Sequence, residues 1–520
     1  MDAHLLSIVT FLPAFAAIIL AVLLRGDDPD AQRNAKWLAI ITTGSTFLIS
    51  LFIVAQFDAA NTEFQFVTER SWLLGFTYRL GVDGISIVLV MLTTFMMPLI
   101  VLASWDMQSR VKEYMIAFLL LESFALGAFM ALDLVLFFIF MEATMIPMFM
   151  IIGIWGGAGR IYASLKYLLY GLIGSALMLL GILGVYADAA TTCIGGCTVS
   201  LLNHQFSTEP MTVLGLQVTG GLQTLLLLAF LASFAVKLPV WPLHSWLPEA
   251  HAQAPVAGSA VLSAILLKLG GYGLLRFALP MLPVGSDVIA PLIMWLSLIA
   301  ILAAALMALV QDDMRRLIAY AAIGQMGFVT LGAFSATQQG IDGALFQMIS
   351  HGLVIGALMI CVGAMYGRMD KADVDAFGGL IKRMPVFALV FMVFVAALIG
   401  VPGTVGFVGV FLTLIAVFSV NSALALLAGV GLVLTGGYAL WLYRRVMFGE
   451  LIKESLKAIR DLSLREKWTF APLVAATLLL GVYPALVLDL TGPSVAALSD
   501  GYAAALEAAA RVAQTAEIAR

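Results

Sequence analysis

Apolar runs of about 20 residues recur from one end of this chain to the other, the length a helix needs to cross a bilayer's hydrocarbon core. Of the 520 residues, 62% are hydrophobic and 11% are charged, with a mean hydropathy of +1.05. Soluble domains carry about 45–50% apolar and about 25% charged residues. A soluble globular enzyme and a disordered chain are therefore excluded. A β-barrel would show short alternating strands instead. The expected fold is an all-α polytopic membrane protein embedded in the lipid bilayer. A net charge of -4 gives no sign of a nucleic-acid partner.

Fourteen spans are predicted, at 4–24, 36–56, 82–105, 113–131, 133–154, 162–187, 220–241, 254–279, 286–309, 313–335, 342–366, 385–418, 421–447 and 469–491. The first is expected to be a retained helix, because no basic segment precedes it as in a cleaved signal peptide. The seventh carries Pro239 and Pro242, and the twelfth carries Pro402 and Gly403. Proline removes a backbone donor and clashes with the preceding turn, so both should be broken helices. Such breaks are tolerated at membrane depth where they are buried in protein or line a wet cavity. Their matching positions suggest two inverted five-helix repeats, 113–279 and 286–447. An N-terminal three-helix segment (1–105) would precede them. A basic segment, the last span and a short external helix after Pro493 would follow (448–520).

Charge supports this division. The loops after odd-numbered spans hold 20 of the 27 Lys and Arg residues, whereas the termini and the other loops hold 5, namely Arg70, Arg79, Arg276, Arg511 and Arg520. By the positive-inside rule both termini lie outside, in the periplasm of a bacterial inner membrane, with Arg444 to Lys467 in the cytoplasm. The two remaining cations are Lys237 and Lys268, inside spans seven and eight.

A Lys at mid-helix costs about 2.5–3.5 kcal/mol on insertion scales. Lys237 is close to a helix break, so snorkelling or a structural ion pair is the alternative to a functional role. Lys268 lies about 21 Å along its helix, too deep for snorkelling. Glu142, midway along span five, is the matching anion. Alone it would be a protonated structural carboxyl; with two buried Lys in the chain, an ion pair is expected. Burial disfavours the charged form and pairing restores it, so such groups exchange protons when a partner moves. His351 titrates near neutrality by its intrinsic chemistry, and is equally compatible with a packing role.

The segment 236–251 is the densest polar stretch, and we read it as the lumen end of a broken helix. Its His244, Glu249 and His251 are candidate proton carriers or end-capping groups. A zinc site is not expected, because two His and one Glu lack any HExxH spacing. Glu122 and Lys166 extend the polar path or anchor helix ends. Asp133 should cap span five, and Asp312, Asp313, Arg315 and Arg316 read as solvated pairs. Three cysteines and five histidines do not make an iron–sulfur or bis-His haem site. No cofactor and no metal is expected in this chain. Cys193 and Cys197 are spaced for a small loop disulfide in an oxidising compartment.

Several motifs now stand together. Ala131 to Phe149 with Glu142, Ile154-Trp155-Gly156-Gly157, Lys166-Tyr167, VKLPVWPLHSWLPEAHAQAPVAGSA (236–260), LLKLGGYG (266–273), DMRRLIAY (313–320), ISHG (349–352) and PGTVGFVG (402–409) resemble the antiporter-like subunits of respiratory complex I. The resemblance runs over essentially the whole chain. The wider family includes subunits of multisubunit cation/proton antiporters and membrane hydrogenases, and LYRRVMFGE with the following IKESLKAIRDLS sets this chain within the complex I branch. The resemblance implies proton translocation, with Glu142 and Lys237 as a modulating ion pair, Lys268 as central relay and His351 as linking His. Lys166 matches a further Lys of the path. It also implies partner subunits: the other membrane-arm subunits, two of them antiporter-like, and those holding NADH, FMN, iron–sulfur clusters and quinone.

Two positions depart from the pattern. The family shows a carboxylate or Lys where this chain has Val410, and a His where it has Gln325. Both changes remove titratable groups from the second half of the path, where water or Gln325 must serve. The environment of Val410 is expected to be dry and apolar. The rival readings are an antiporter or hydrogenase subunit, and a structural arm with impaired pumping. The charge split makes one checkable statement. A cysteine label in the loop 188–219 should react from the periplasmic side and one at 450–467 only from the cytoplasm; reversed labelling would overturn the orientation.

Overall fold

The computed structural model describes residues 4–24, 28–72, 77–189, 211–213, 216–369, 371–451 and 454–518. Cys193 and Cys197 lie outside these residues. Helices occupy every predicted span: α1 (Leu5–Leu23), α2 (Pro29–Gln56), α3 (Gly84–Ala103), α4 (Val111–Met130), α5 (Leu134–Ala143) with α6 (Met145–Trp155), α7 (Arg160–Ala189), α8 (Gly221–Lys237) with α9 (Trp246–Gln253), and α10 (Val256–Met281). There follow α11 (Pro283–Leu309), α12 (Met314–Ala333), α13 (Gln338–Met369), α14 (Pro385–Ile399) with α15 (Val405–Val420), α16 (Ser422–Met447), α17 (Leu464–Val482) and α18 (Ala485–Ile518). Among the described residues, ten helical segments are long and apolar enough to cross a membrane by length and composition, counting α5 with α6. The shorter apolar helices α8, α14 and α15 flank the two proline breaks.

Two short β-hairpins interrupt the helical pattern. Gln65–Ser71 (β1) and Thr77–Val82 (β2) form an antiparallel hairpin between α2 and α3, and Met211–Val213 pairs with Leu216–Val218 before α8. These segments are too short to span, and a local ladder satisfies their backbone groups.

Helix starts follow their side chains. Asp83, Asp133 and Asp313 each accept two backbone N–H groups at the head of α3, α5 and α12. Asp133 therefore caps its span as expected. Asp313 is a cap rather than a solvated ion pair, because a helix N-terminus offers it unsatisfied donors.

The helices pack around one apolar core, with large apolar side chains such as Phe15, Ile173, Leu180 and Val433 left on the rim. In the first half α4 lies against α1 and α5, and α7 against α6 and α8; in the second, α12 packs between α11 and α13, with α15 beside α13. The halves meet where α10 packs on α13, α8 on α11 and α9 on α12.

Ion pairs tie the basic ends into one face. Arg465 binds Asp106, Arg368 forks onto Glu466, Arg316 binds Glu249 at 3.1 Å, and Lys36 donates to the Trp105 carbonyl. The 236–251 segment therefore ends on this basic face, not at the lumen: Gln253 also accepts the Gly157 N–H at 2.8 Å. Arg316, still partly exposed, pairs with Glu249 of the first half.

At the opposite face, Arg276 is not a loop residue. It lies within α10, 8% exposed, bound to Asp83 and stacked 4.9 Å from the Phe64 ring. The C-terminal part is also different from expectation. After a 64° bend at Tyr483-Pro484, α18 starts at Ala485 and runs through Pro493. It lies across α3 and α13, with the Ser494 hydroxyl accepting the Gly84 N–H at 3.0 Å. Pro484, which cannot continue α17, sets the break that Pro493 was expected to make.

Removing one partner of a buried ion pair costs about 3–5 kcal/mol, because the other charge is left uncompensated. Asp83→Ala should therefore lower the thermal midpoint of the assembled protein, and adding Arg276→Leu should restore part of it. A single variant as stable as wild type in a thermal-shift measurement would show that this pair carries no stability.

Candidate functional site

The site is built where α8 breaks. Lys237 is the last residue of α8, and its chain is held against α10 because Gly270 has no side chain: a Cβ there would stand 2.8 Å from the Phe234 carbonyl and 3.1 Å from Lys237 Cβ. Lys237 Nζ donates to Glu142 Oε1 at 3.0 Å, and both side chains are mostly buried. The expected ion pair is thus present, between the end of α5 and the end of α8. A cavity of about 20 Å³ lies beside it, lined by Thr144, Tyr167, Lys237 and Leu266 among others. That is room for about one water.

Lys268 is fully buried in α10. On both sides of it the helix is π-helical, at Leu262–Leu266 and Leu274–Ala278. Such single π turns break the i→i−4 ladder and are frequent at functional sites. Here the Ser263 carbonyl turns toward Lys268 and accepts from its Nζ, five residues on. Lys268 Nζ also lies 2.7 Å from His351 Nδ1 across the α10–α13 seam. The imidazole has the backbone of Ala322 on α12 as a further neighbour.

The string continues on the other side of Lys268. The Ser263 hydroxyl is 3.2 Å from His251 Nε2 and donates to the Ser259 carbonyl, while the Ser259 hydroxyl donates to the His251 carbonyl at 3.2 Å. His251 is fully buried. The residues following it, Ala252 to Ala254, wall an open cleft of about 1670 Å³ on the basic face. That cleft also meets Arg316, Arg368, Asp461 and Glu466. The cleft therefore comes within one residue in sequence of the buried string.

The other expected members are placed differently. Glu249 is drawn to Arg316 and away from the string. Lys166 is half-buried on α7, 5.7 Å over the Tyr162 ring, and its charge acts on His244 in the α8–α9 break. Glu122 is fully buried on α4, and neither of its carboxyl oxygens has a protein partner among the described residues. Gln325 donates to the Leu398 carbonyl at 3.1 Å, at the end of α14, and accepts from Gln347. No hydrogen bond among the described residues joins the Glu142–Lys237 pair to the Lys268–His351 pair, and no group of His, Cys, Asp and Glu there could hold a metal ion.

Sequence reasoning missed Ser263, Ser259 and Gln347. Only Ser259 and Ser263 carried a signal, as small polar residues one turn apart on the helix of Lys268. Val410 is buried at 3% exposure on α15, and Gln347 packs onto its neighbour Gly409.

Residues 131–435 match the family model described as NADH:quinone oxidoreductase/Mrp antiporter, transmembrane region. The chain is 58% identical over 504 residues to NADH-quinone oxidoreductase subunit M of Rhodobacter capsulatus, covering 97% of this chain and 98% of that protein. Its fold matches a chain of respiratory complex I from Thermus thermophilus with bound NADH, with a TM-score of 0.84, 27% identity, and coverage of 96% and 100%. A chain of the Mrp complex from Dietzia sp. DQ12-45-1b shares the fold alone, with a TM-score of 0.80, 20% identity, and coverage of 97% and 99%.

If the Glu142 carboxylate tunes Lys237 by its charge, removing the charge should matter more than shortening the side chain. Glu142→Gln should slow turnover of the assembled complex at least several-fold, and Glu142→Asp less. Wild-type rates for both variants would leave Glu142 a structural residue.

Proposed function

This chain belongs to the NADH:quinone oxidoreductase/Mrp antiporter family, and from that premise we propose that it is the proton-translocating membrane subunit of an NADH:quinone oxidoreductase, without a redox centre of its own. The observation that carries the reading is the Lys268–His351 contact at 2.7 Å across the seam between the two halves. It couples a proton-holding amine to an imidazole on another helix, both fully out of lipid.

The chemistry is proton transfer under electrostatic control. Water in the basic-face cleft supplies a proton to His251. The Ser263 hydroxyl, 3.2 Å from His251 Nε2, accepts one there and turns from the Ser259 carbonyl to give its own proton toward Lys268. Lys268 holds it against the Ser263 carbonyl, and His351 takes it when Lys268 is driven to release. The drive comes from Lys237. While Glu142 pairs with it, the Lys237 charge is compensated. When the pair opens, an uncompensated cation on α8 disfavours the charged form of Lys268, as like charges do. Glu122, Lys166 and His244 are accessory groups around this axis.

NADH oxidation and quinone reduction take place in partner subunits, which hold the FMN and the iron–sulfur clusters. The partners of this chain are other complex I subunits, including the two other antiporter-like ones. The protein is a multi-pass inner-membrane protein, with both termini on the periplasmic side by its charge distribution. The two five-helix units act as an inverted repeat, each contributing one member of the Lys268–His351 pair. A cation/proton antiporter would use the same groups, but the 58% identity along nearly the full length is with a quinone oxidoreductase subunit. Val410 favours one other reading, a structural arm that no longer pumps.

Lys268→Ala separates the two. As a relay mutant it should assemble and lose most proton pumping per electron in reconstituted vesicles, whereas a structural arm would not register the change. Pumping at the wild-type level would sink the relay role of Lys268.

A further inference from the structure

Beyond His351 the polar groups do not stop. Three residues at four-residue spacing on α13, His351, Gln347 and Gly343, form one stripe, about 6 Å per step. The facing stripe on α15 is Gly409 and Thr413. A Cβ on Gly409 would stand 2.6 Å from Gln347 Oε1, and one on Gly343 would stand 2.7 Å from Thr413 Oγ1. The two helices therefore run antiparallel here, and Thr413 lies one turn further from His351 than Gln347 does.

Gln347 is 1% exposed and Thr413 is fully buried. Gln347 gives its amide N–H to Gln325, but its Oε1 has no protein partner among the described residues, and neither does Thr413 Oγ1. Leaving such groups bare is costly, and buried waters bind where several of them converge. Past Thr413 the stripe reaches the turn between α12 and α13. A Cβ on Gly332 would lie 3.0 Å from Thr413 Oγ1. The Ser335 hydroxyl donates to the Gly332 carbonyl at 2.7 Å and lies 3.2 Å from Thr337 Oγ1, at the face opposite the basic one.

We propose that Gln347 and Thr413 hold a short file of water that carries protons from His351 to the Ser335–Thr337 turn, in place of a titratable side chain at position 410. One water accepting and donating bonds of about 2.8 Å bridges about 5.6 Å, close to one step of the stripe. The step balances without a protein acid beyond His351. The imidazolium gives its N–H proton to the first water, that water gives a different proton to the next, and His351 ends neutral. Gln325 fixes the Gln347 amide so that its oxygen, not its nitrogen, faces the file. The glycines at 343 and 409 let α13 and α15 approach closely, so that the Gln347 and Thr413 oxygens lie against the facing helix.

This inference rests on the relay reading of Lys268 and His351, and the experiment separates the two. The complete complex is reconstituted in vesicles, and protons pumped per NADH oxidised are measured for matched pairs of variants. Thr413→Val keeps the size and loses the hydroxyl; Thr413→Ser keeps the hydroxyl and loses a methyl. The file predicts that the Val variant pumps at no more than half the wild-type yield and that the Ser variant pumps at least twice as well as the Val one. Equal yields for the pair, whether high or low, overturn the proposal, because low yields for both would assign Thr413 to packing. Gln347→Leu and Gln347→Glu give the same comparison at the other water ligand, and decide it if Thr413→Val does not assemble. Lys268→Ala runs beside them. A wild-type yield there would overturn the relay reading itself, whereas its loss with unchanged Gln347 and Thr413 pairs would overturn only the water file.

Discussion

The burial of Lys268 sets the terms for the structure around it. A cation at that depth costs about 2.5–3.5 kcal/mol on insertion scales even where the bilayer can adapt, and α10 is enclosed by protein along its whole length. The fold answers with two acceptors. One is the Ser263 carbonyl, released by a π turn of the same helix, and the other is the imidazole of His351 from the second half of the chain. Neither is a carboxylate, so Lys268 has hydrogen-bond partners without a fixed counter-charge. A group held this way can lose its proton without leaving an uncompensated anion behind, which a structural salt bridge such as Asp83–Arg276 cannot do.

The two proline breaks place backbone and side chains where an unbroken helix would not. In the first half the break after Lys237 stops α8 at the level of Glu142, and the chain then folds back through Trp246, whose indole N–H binds the Val236 carbonyl at 2.9 Å. In the second half the break between α14 and α15 exposes the Leu398 carbonyl, which takes the Gln325 amide. Similar interruptions thus support different groups: an ion pair on one side, a pair of neutral amides on the other. Charge control is concentrated in the first half, while the second offers hydrogen bonding.

The periphery has a different logic. The basic face is laced by Arg316–Glu249, Arg368–Glu466 and Arg465–Asp106, which join loops distant in sequence around the open cleft. The opposite face is closed by the β1–β2 hairpin, the Asp83–Arg276 pair and α18 laid across the helix ends. One face thus carries an open cleft, and the other the polar Ser335–Thr337 turn.

The sequence by itself determined the membrane fold, the places of the two breaks and the four central titratable residues. Apolar runs, prolines and charges inside spans are local signals, and the cost of burying each is large enough that chance placement is disfavoured. The caps Asp133 and Asp83 follow from the same local chemistry, although only the first was foreseen. Pairings were another matter. That Glu142 forms an ion pair was legible from the census of buried charges, whereas its choice of Lys237 over Lys268 came from the family resemblance alone. That Glu249 leaves the path for Arg316, that Arg276 is a buried partner of Asp83, and that Gln347 stands against Gly409 depend on which helices meet. Only tertiary structure decides that, because two residues far apart in sequence interact through a packing geometry that no single helix encodes. The π turns at Lys268 belong to the same class: nothing in the run of residues 256–281 marks them, and they depend on packing, the first against α13 and the second against α8.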